Sequence, residues 1–321
     1  MKYIARRLAH ALLLLLAVSL LSFALLQLTP GDFFDGLRMN PQISSQTIEN
    51  LRSQYGLDRP LAVRYERWLV SLVHGQFGFS LAYSAPVAPI LRERACNTLL
   101  LTGSATLLAW LLAIPLGIWT AANKGNWSDR ICGVATSALL TVPDLLLFLG
   151  LLLLAVRTGW FPAGGMFSPS TDAGASPWLR ARDIAAHLAL PAIGLALATL
   201  PVLVRHIRSS MIDVLGSPFI RAARAHGIPR SRILFRYALP VAANPLISLF
   251  GFSVATMLSA SALIEVVLSW PGLGPLLIES ILSRDVFIVV GAVMFASLFL
   301  IAGNLIADLL LFASDPRIRV E

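Results

Sequence analysis

An all-α membrane protein with six transmembrane helices is the fold class that this 321-residue chain predicts, on three observations. Hydrophobic residues make up 57% of the chain and charged residues 13%. A soluble domain uses roughly 25% charged residues to cover its surface, so only about half the usual supply is present. Mean hydropathy is +0.76. The apolar residues also gather into six long stretches separated by polar connections. A soluble globular domain, a disordered chain and a disulfide scaffold are excluded. The two cysteines, Cys96 and Cys132, have neither metal-ligand nor redox-motif spacing, which leaves packing as their role.

A bilayer core of about 30 Å takes roughly 20 helical residues at ~1.5 Å each. Leu8–Leu28 supplies the first such stretch, behind Lys2, Arg6 and Arg7. A basic head before a leucine run also suits a secretory signal peptide. This run is too long for one, and it ends in Leu28-Thr-Pro-Gly31 with no small-x-small cleavage site, so an uncleaved anchor is expected. The other five stretches are Thr98–Ala121, Ile131–Val156, His187–Val204, Val241–Val267 and Val286–Phe312.

Charge sets the orientation. With the N-terminus inside, fourteen of the 25 Lys and Arg residues fall on cytoplasmic segments and four on the two short outer loops. The other seven lie in the connection 30–96, which is too long to count under the positive-inside rule. Both termini are therefore expected in the cytoplasm. The net charge of +8 records topology and anionic headgroups, and no nucleic-acid partner is expected.

The long outer connection carries helical patterns. Ile48, Leu51 and Tyr55 share one stripe and Gly56 follows where a helix would stop. Pro60 opens a second pattern through Leu61, Tyr65, Trp68, Leu69, Leu72 and Val73, closed by Gly75. Two short amphipathic helices at the outer surface are expected, either capping the bundle or forming a platform for an external partner.

Between the fourth and fifth stretches lies the segment Ser217–Pro240. It reads as a short helix stopped at Gly227, a turn containing Pro229, and a second helix running to Pro240. Gly227 permits left-handed backbone or close approach by another surface. Ala222, Ala223 and Ala225 leave little bulk, which suits a helix that slots into a groove. The plainer alternative is a solvated basic segment touching lipid phosphates.

The spacing favours the first reading. Ala222-Ala223, three residues, Gly227, nine residues, then Tyr237-x-Leu239-Pro240 resembles the EAA loop of binding-protein-dependent ABC importer permeases. The family's leading glutamate is replaced by Arg221 and its isoleucine by Tyr237, a departure that looks like the peptide and nickel branch. Leu28-Thr-Pro-Gly-Asp32, Tyr55–Leu61, Phe77-Gly-Phe-Ser80, His187–Ala192, Arg208-Ser-Ser-Met211, Ser269–Gly274, Asn304–Asp308 and Asp315–Arg319 resemble that branch in order along nearly the whole chain. The resemblance is to the first permease subunit of dipeptide, oligopeptide and nickel importers.

It implies a type-1 importer permease architecture in the bacterial inner membrane. Residues 1–94 would form the anchor and periplasmic segment, 95–312 the permease core, and 313–321 a cytoplasmic tail. It implies that Arg221, Ala222, Ala223, Gly227, Tyr237, Leu239 and Pro240 contact a cytoplasmic ATPase. It also implies as partners a homologous second permease, two ATPase subunits, a periplasmic substrate-binding protein and membrane lipid. The transported solute would be a di- or oligopeptide, with a nickel chelate or another small solute as the alternative.

The chain itself shows no catalytic constellation. No Gly-x-x-x-x-Gly-Lys-Ser/Thr occurs, since neither lysine precedes serine or threonine, so ATP hydrolysis is expected of separate subunits. Its five histidines are scattered without ligand spacing, and neither a metal site nor another cofactor is expected in this chain. Ionisable residues in spans usually face a cavity or partner. Asp144 is the candidate for a peptide ammonium, the alternative being a helix–helix hydrogen bond. Glu265 precedes a turn at the outer end of the fifth span, and Ser253 sits on that span's polar wall, which equally suits small-residue packing. A secondary transporter independent of ATP is the rival class. It would need paired Gly/Pro-interrupted short spans, which six unequal stretches do not show.

Overall fold

The computed structural model describes residues 2–28, 34, 44–54, 58–169 and 176–314. Five of the six apolar stretches are unbroken helix over their length; the third is broken in two. In chain order the helices are α1 (Lys2–Leu28), α2 (Ser45–Gln54), α3 (Leu61–Val73), α4 (Val87–Ala122), α5 (Trp127–Thr141), α6 (Asp144–Thr158), α7 (Pro177–Leu215), α8 (Pro218–Ala225), α9 (Arg230–Arg232), α10 (Leu239–Val267), α11 (Leu273–Leu282) and α12 (Val286–Ser314). A two-stranded hairpin, β1 (Phe79–Ser80) and β2 (Ala85–Pro86), precedes α4.

Among the described residues, four helices are long and apolar enough to cross a membrane: Val87–Ala122, Pro177–Leu215, Arg230–Val267 and Val286–Phe312. The α5–α6 pair makes a fifth if taken together, and α1 carries a further apolar run over Ala9–Leu25. The third stretch, expected as one span over Ile131–Val156, is two helices bent by 99°. The cause is Pro143. A proline biases the residue before it away from the helical region, and Val142 sits at ψ 119°.

The chain divides into two compact units, whose boundaries fall within α4, between Trp270 and Pro271, and within α12. One comprises residues 1–98 and 271–299. Here Phe23 of α1, Trp68 of α3 and Val290 of α12 are buried together, with Tyr65, Leu69 and Leu72 against them. The phenol of Tyr65 meets the Ser19 hydroxyl at 2.8 Å, and the Trp68 indole N–H donates to the Phe77 carbonyl at 3.1 Å. The apolar stripe expected on α3 thus exists, but it ends at Leu72, since Val73 is 86% exposed. Gly75 closes the helix at φ +74°. On α2, Ile48 is buried; Tyr55 and Gly56 lie outside the described residues, as do the tail 315–321 and most of the motif 28–32.

In the same unit Asp285 organises the hairpin. Its Oδ2 accepts the Ser80 hydroxyl at 2.6 Å and the Ala82 N–H at 3.2 Å, while Oδ1 accepts the Ile288 N–H at 3.3 Å and caps α12. Helix α11 was not expected, since its residues read as loop. Its first N–H, on Leu273, is taken by the Thr98 hydroxyl at 2.8 Å, and Asn97 donates to the Pro271 carbonyl at 2.8 Å.

The second unit comprises residues 99–270 and 300–321. Its core is built on α4, α7 and α10. Leu101, Ala105, Ala109 and Ala113 recur every four residues on α4 and are fully buried. They share the core with Leu195, Leu203, Ile207 and Met211 of α7 and with Ala242, Met257 and Ile264 of α10. Small side chains let these helices approach closely: a Cβ on Gly117 would meet Ile207 Cγ2 at 2.6 Å. The prolines inside α4, α7 and α10 (Pro115, Pro191, Pro201 and Pro245) are the kind that membrane helices tolerate, because neighbours re-satisfy the freed carbonyls.

Candidate functional site

The segment 217–240 starts as its sequence dictates. Pro218 occupies the first helical position, where its missing N–H costs nothing. Ile220 is fully buried and Ala223 nearly so, and these two residues fix the inner face of α8. Phe219, Arg221, Ala222, Arg224 and His226 are exposed. The helix ends in a Schellman motif: the Gly227 N–H donates to the Arg224 carbonyl at 3.0 Å and the Ile228 N–H to the Ala223 carbonyl at 3.2 Å. That motif needs left-handed backbone, and Gly227 has φ +73°. A Cβ there would meet nothing within 4 Å, so backbone conformation, and no packing within this chain, demands glycine.

The return limb corrects the expectation of a helix ending at Pro240. From Arg230 to Val267 the chain is one run of 38 helical residues. Over Ile233–Ala238 it widens to π-helix, and the Leu239 N–H donates five residues back to the Leu234 carbonyl. Pro240 explains the widening. In α-helical register its ring would clash with the carbonyl four residues earlier, on Arg236. A π-turn relieves that crowding without stopping the helix. Within this limb Ile233 and Ala238 are buried, Leu239 is half-buried, and Tyr237 and Pro240 are exposed.

Two contacts tie the segment's neighbourhood together. Arg230 Nη2 donates to the Ala122 carbonyl and to Asn123 Oδ1, so the return limb is held against the α4–α5 turn. Above it, Arg208 on α7 grips Asp129 in the first turn of α5, and the Gly125 N–H donates to the same carboxylate at 2.9 Å. The sequence placed Arg208 in a motif but offered no sign of its partner 79 residues away. An open cavity of about 940 Å³ borders this pair, with Arg130, Arg205, Thr136 and Ser137 also in its wall.

The three substrate-path candidates occupy different settings. Asp144 is exposed at the start of α6, immediately after the bend, where a helix N-terminus favours a carboxylate. Ser253 is buried; its hydroxyl donates to the Phe250 carbonyl at 2.7 Å and accepts from the Trp110 indole at 3.0 Å. Glu265 is fully buried near the end of α10, and its backbone carbonyl accepts the Trp270 N–H at 2.8 Å. None of the three lines the 940 Å³ cavity.

Residues 113–320 match the binding-protein-dependent transport system inner membrane component family, and residues 1–102 match the N-terminal membrane component of such systems. The oligopeptide transport system permease protein AppB of Bacillus subtilis is 36% identical over 321 residues, covering 99% of each chain. The oligopeptide transport system permease protein OppB of Mycobacterium bovis is 31% identical over 326 residues, 100% of this chain and 99% of that one. Among solved structures, an inward-facing MetNI methionine ABC transporter matches with a TM-score of 0.58 at 15% identity, over 70% of this chain and 96% of that one, a likeness of fold. Matched over nearly its whole length by both descriptions and by relatives of its own length, the chain belongs to the family of inner membrane components of binding-protein-dependent transport systems, multi-pass proteins of the bacterial inner membrane.

Proposed function

We propose that this chain is the permease subunit of an ATP-driven ABC importer, forming half of a translocation path for di- or oligopeptides. The observation that carries the peptide reading is its full-length similarity to oligopeptide permeases. On this reading the chain crosses the membrane six times with both termini in the cytoplasm: α1, α4, the bent α5–α6 pair, α7, the Arg230–Val267 helix and α12. It pairs with a homologous second permease, and an external binding protein delivers the peptide.

Two cytoplasmic ATPase subunits drive the cycle, one of them through the segment 217–240. The exposed Arg221 and Ala222, the open space at Gly227 and the exposed Tyr237 and Pro240 support this docking role. Ala223 and Leu239 set the segment's shape from beneath. Nucleotide state would favour one of two permease conformations through that contact, as alternating access requires. Asp144, Ser253 and Glu265 remain the proposed polar positions of the path, with exposed Asp144 the one open to a peptide ammonium.

The test is a mild-detergent pull-down of the tagged chain from native membranes, beside Gly227→Asp. Aspartate tolerates left-handed backbone better than most residues, so the variant folds and presents a charge where the partner would sit. Recovery of a second permease and ATPases, with the ATPases lost in the variant, is expected. A chain that emerges alone and transports peptide into vesicles without ATP overturns the reading.

A further inference from the structure

Beside the docking segment lies a cleft of about 780 Å³ whose wall is basic. Lys124 enters from the α4–α5 turn, Arg224 from α8 and Arg230 from the return limb, with Asn123 and Asn126 between them. No carboxylate lines it; Asp213, between the lining residues Ile212 and Leu215, is exposed, and Asp129 is held by Arg208. Three cations around one cleft suit an anion with several acceptor oxygens.

A second, apolar groove of about 500 Å³ is lined by residues of α4, α5 and α7. Leu116 and Trp119 of α4, Ile131, Ala135 and Leu139 of α5 and Leu200 of α7 line it. The two are linked through one turn of α4. Asn123 in the cleft is four residues below Trp119 in the groove and donates to its carbonyl at 2.9 Å. Their level also fits the edge of a bilayer. Trp119 and Trp127 are both exposed there, as aromatic residues at a membrane–water boundary are, and the groove climbs from that level along apolar helix faces.

We infer that cleft and groove together bind one anionic phospholipid, its head phosphate among Lys124, Arg224 and Arg230 and one acyl chain along the groove. A basic pocket between transmembrane helices at the cytoplasmic face is the kind of surface that holds acidic lipid heads. The cytoplasmic placement rests on the orientation proposed above; the two-part chemistry does not. Arg224 and Arg230 belong to the docking segment itself, so a lipid held here would brace the segment against the α4–α5 turn.

The experiment uses the intact transporter, delipidated in detergent and offered equal amounts of phosphatidylglycerol and phosphatidylcholine with the same acyl chains, read by native mass spectrometry. Retention of phosphatidylglycerol in preference to phosphatidylcholine is expected. Each Lys or Arg beside an anionic lipid contributes about fivefold in affinity, so K124Q/R224Q should lose roughly 25-fold. Should that double variant fail to fold, K124Q alone, on an exposed turn, should lose about fivefold. Ala135→Trp, which fills the groove, should weaken retention of both lipids. No preference in the native protein, or a preference unchanged in the charge variants, overturns the proposal. So does displacement of phosphatidylglycerol by equimolar glycerol phosphate, which would make the cleft a free-phosphate site without use of the groove. Labelling of Lys124→Cys from outside intact cells, in a background without Cys96 and Cys132, would sink the orientation while leaving lipid retention intact.

Discussion

Arg208 holds both carboxylate oxygens of Asp129, Nε to Oδ1 at 2.7 Å and Nη2 to Oδ2 at 2.8 Å. This two-pronged geometry is the strong form of the interaction, and it joins the first turn of α5 to α7. Asp129→Asn keeps the shape and removes the charge, leaving a partly buried guanidinium poorly satisfied. A loss of about 1–3 kcal/mol is expected. A double-mutant cycle with Arg208→Gln, read by thermal unfolding in detergent, checks it. Additive losses would show that the two residues act independently.

Acid should dissolve the same contact. The pair needs an ionised carboxylate, and a carboxylate ordinarily gains its proton only near pH ~4, so the contact is complete at neutral pH and fades only in acid. Between pH 5 and 8 the difference in stability between the native chain and Asp129→Asn should therefore stay constant. A difference that shrinks already at pH 6 would contradict the assignment.

Tyr83 offers the opposite sign. Burial, and then Glu279, whose carboxylate accepts the phenol at 2.5 Å, push its pKa from 10.0 up to about 12. A raised value means that the stabilisation is full below pH 10.0 and is lost as pH rises through about 12. Glu279→Gln should bring one of the five tyrosines back toward ordinary titration, seen in the tyrosinate absorbance. An unchanged titration curve would remove Glu279 as a cause.

Close helix contacts predict which glycines resist enlargement. A Cβ on Gly194 would meet Ile264 Cδ1 at 2.7 Å and Leu151 Cδ1 at 3.0 Å, inside the core. Gly194→Val should cost about 1–3 kcal/mol through overpacking. Gly133, with nothing within 4 Å, is the control and should accept alanine with a far smaller effect. Equal melting temperatures for the two variants would deny the packing.

Gly227 separates conformation from contact. Gly227→Asn should fold with a cost of at most about 1 kcal/mol, since asparagine visits left-handed backbone. Gly227→Trp adds left-handed strain of about 1–2 kcal/mol, which lowers the melting temperature, and bulk in space that this chain leaves open, so ATP-dependent uptake and ATPase recovery should fall by more than that loss of stability accounts for. A tryptophan variant that couples as well as the asparagine one would remove Gly227 from the docking surface.

Much of the fold was legible because hydropathy over twenty-residue windows is a strong signal. The six stretches, the α3 stripe and the stop at Gly75 all follow from apolar spacing and glycine position. The bend at Pro143 was hidden because apolar residues dominate the stretch on both sides of Thr141–Asp144; only the rule for residues preceding proline pointed there. Helix α11 was overlooked as a loop, although Leu273, Leu276 and Ser280 recur at helical spacing and are buried. At Pro240 the opposite error occurred, since a proline taken as a stop sits inside a continuous helix. The short helix of the segment 217–240 and its stop at Gly227 were readable from local spacing, while its docking role came from the family resemblance and stays a proposal. Partnerships across the sequence, such as Asp129 with Arg208 or Asp285 with Ser80 some 205 residues earlier, leave no local trace.

The π-turn over Ile233–Ala238 fixes an angular phase. An α-helix advances about 100° per residue, so one residue more or fewer turns every later side chain by that angle. Ala242, Leu246, Ser253, Met257 and Ile264 are all buried beyond that turn, which takes up one residue more than an α-turn would. Deleting one residue from that turn would leave composition, hydropathy and helix content almost untouched. If the helix answered by reverting to α-register, those residues would keep facing the core but the Pro240 ring would meet the carbonyl four residues before it; if the wide turn persisted, they would rotate away by about 100°. The segment below and the span above are thus one helix keyed at a single joint, and the key is a matter of rotation.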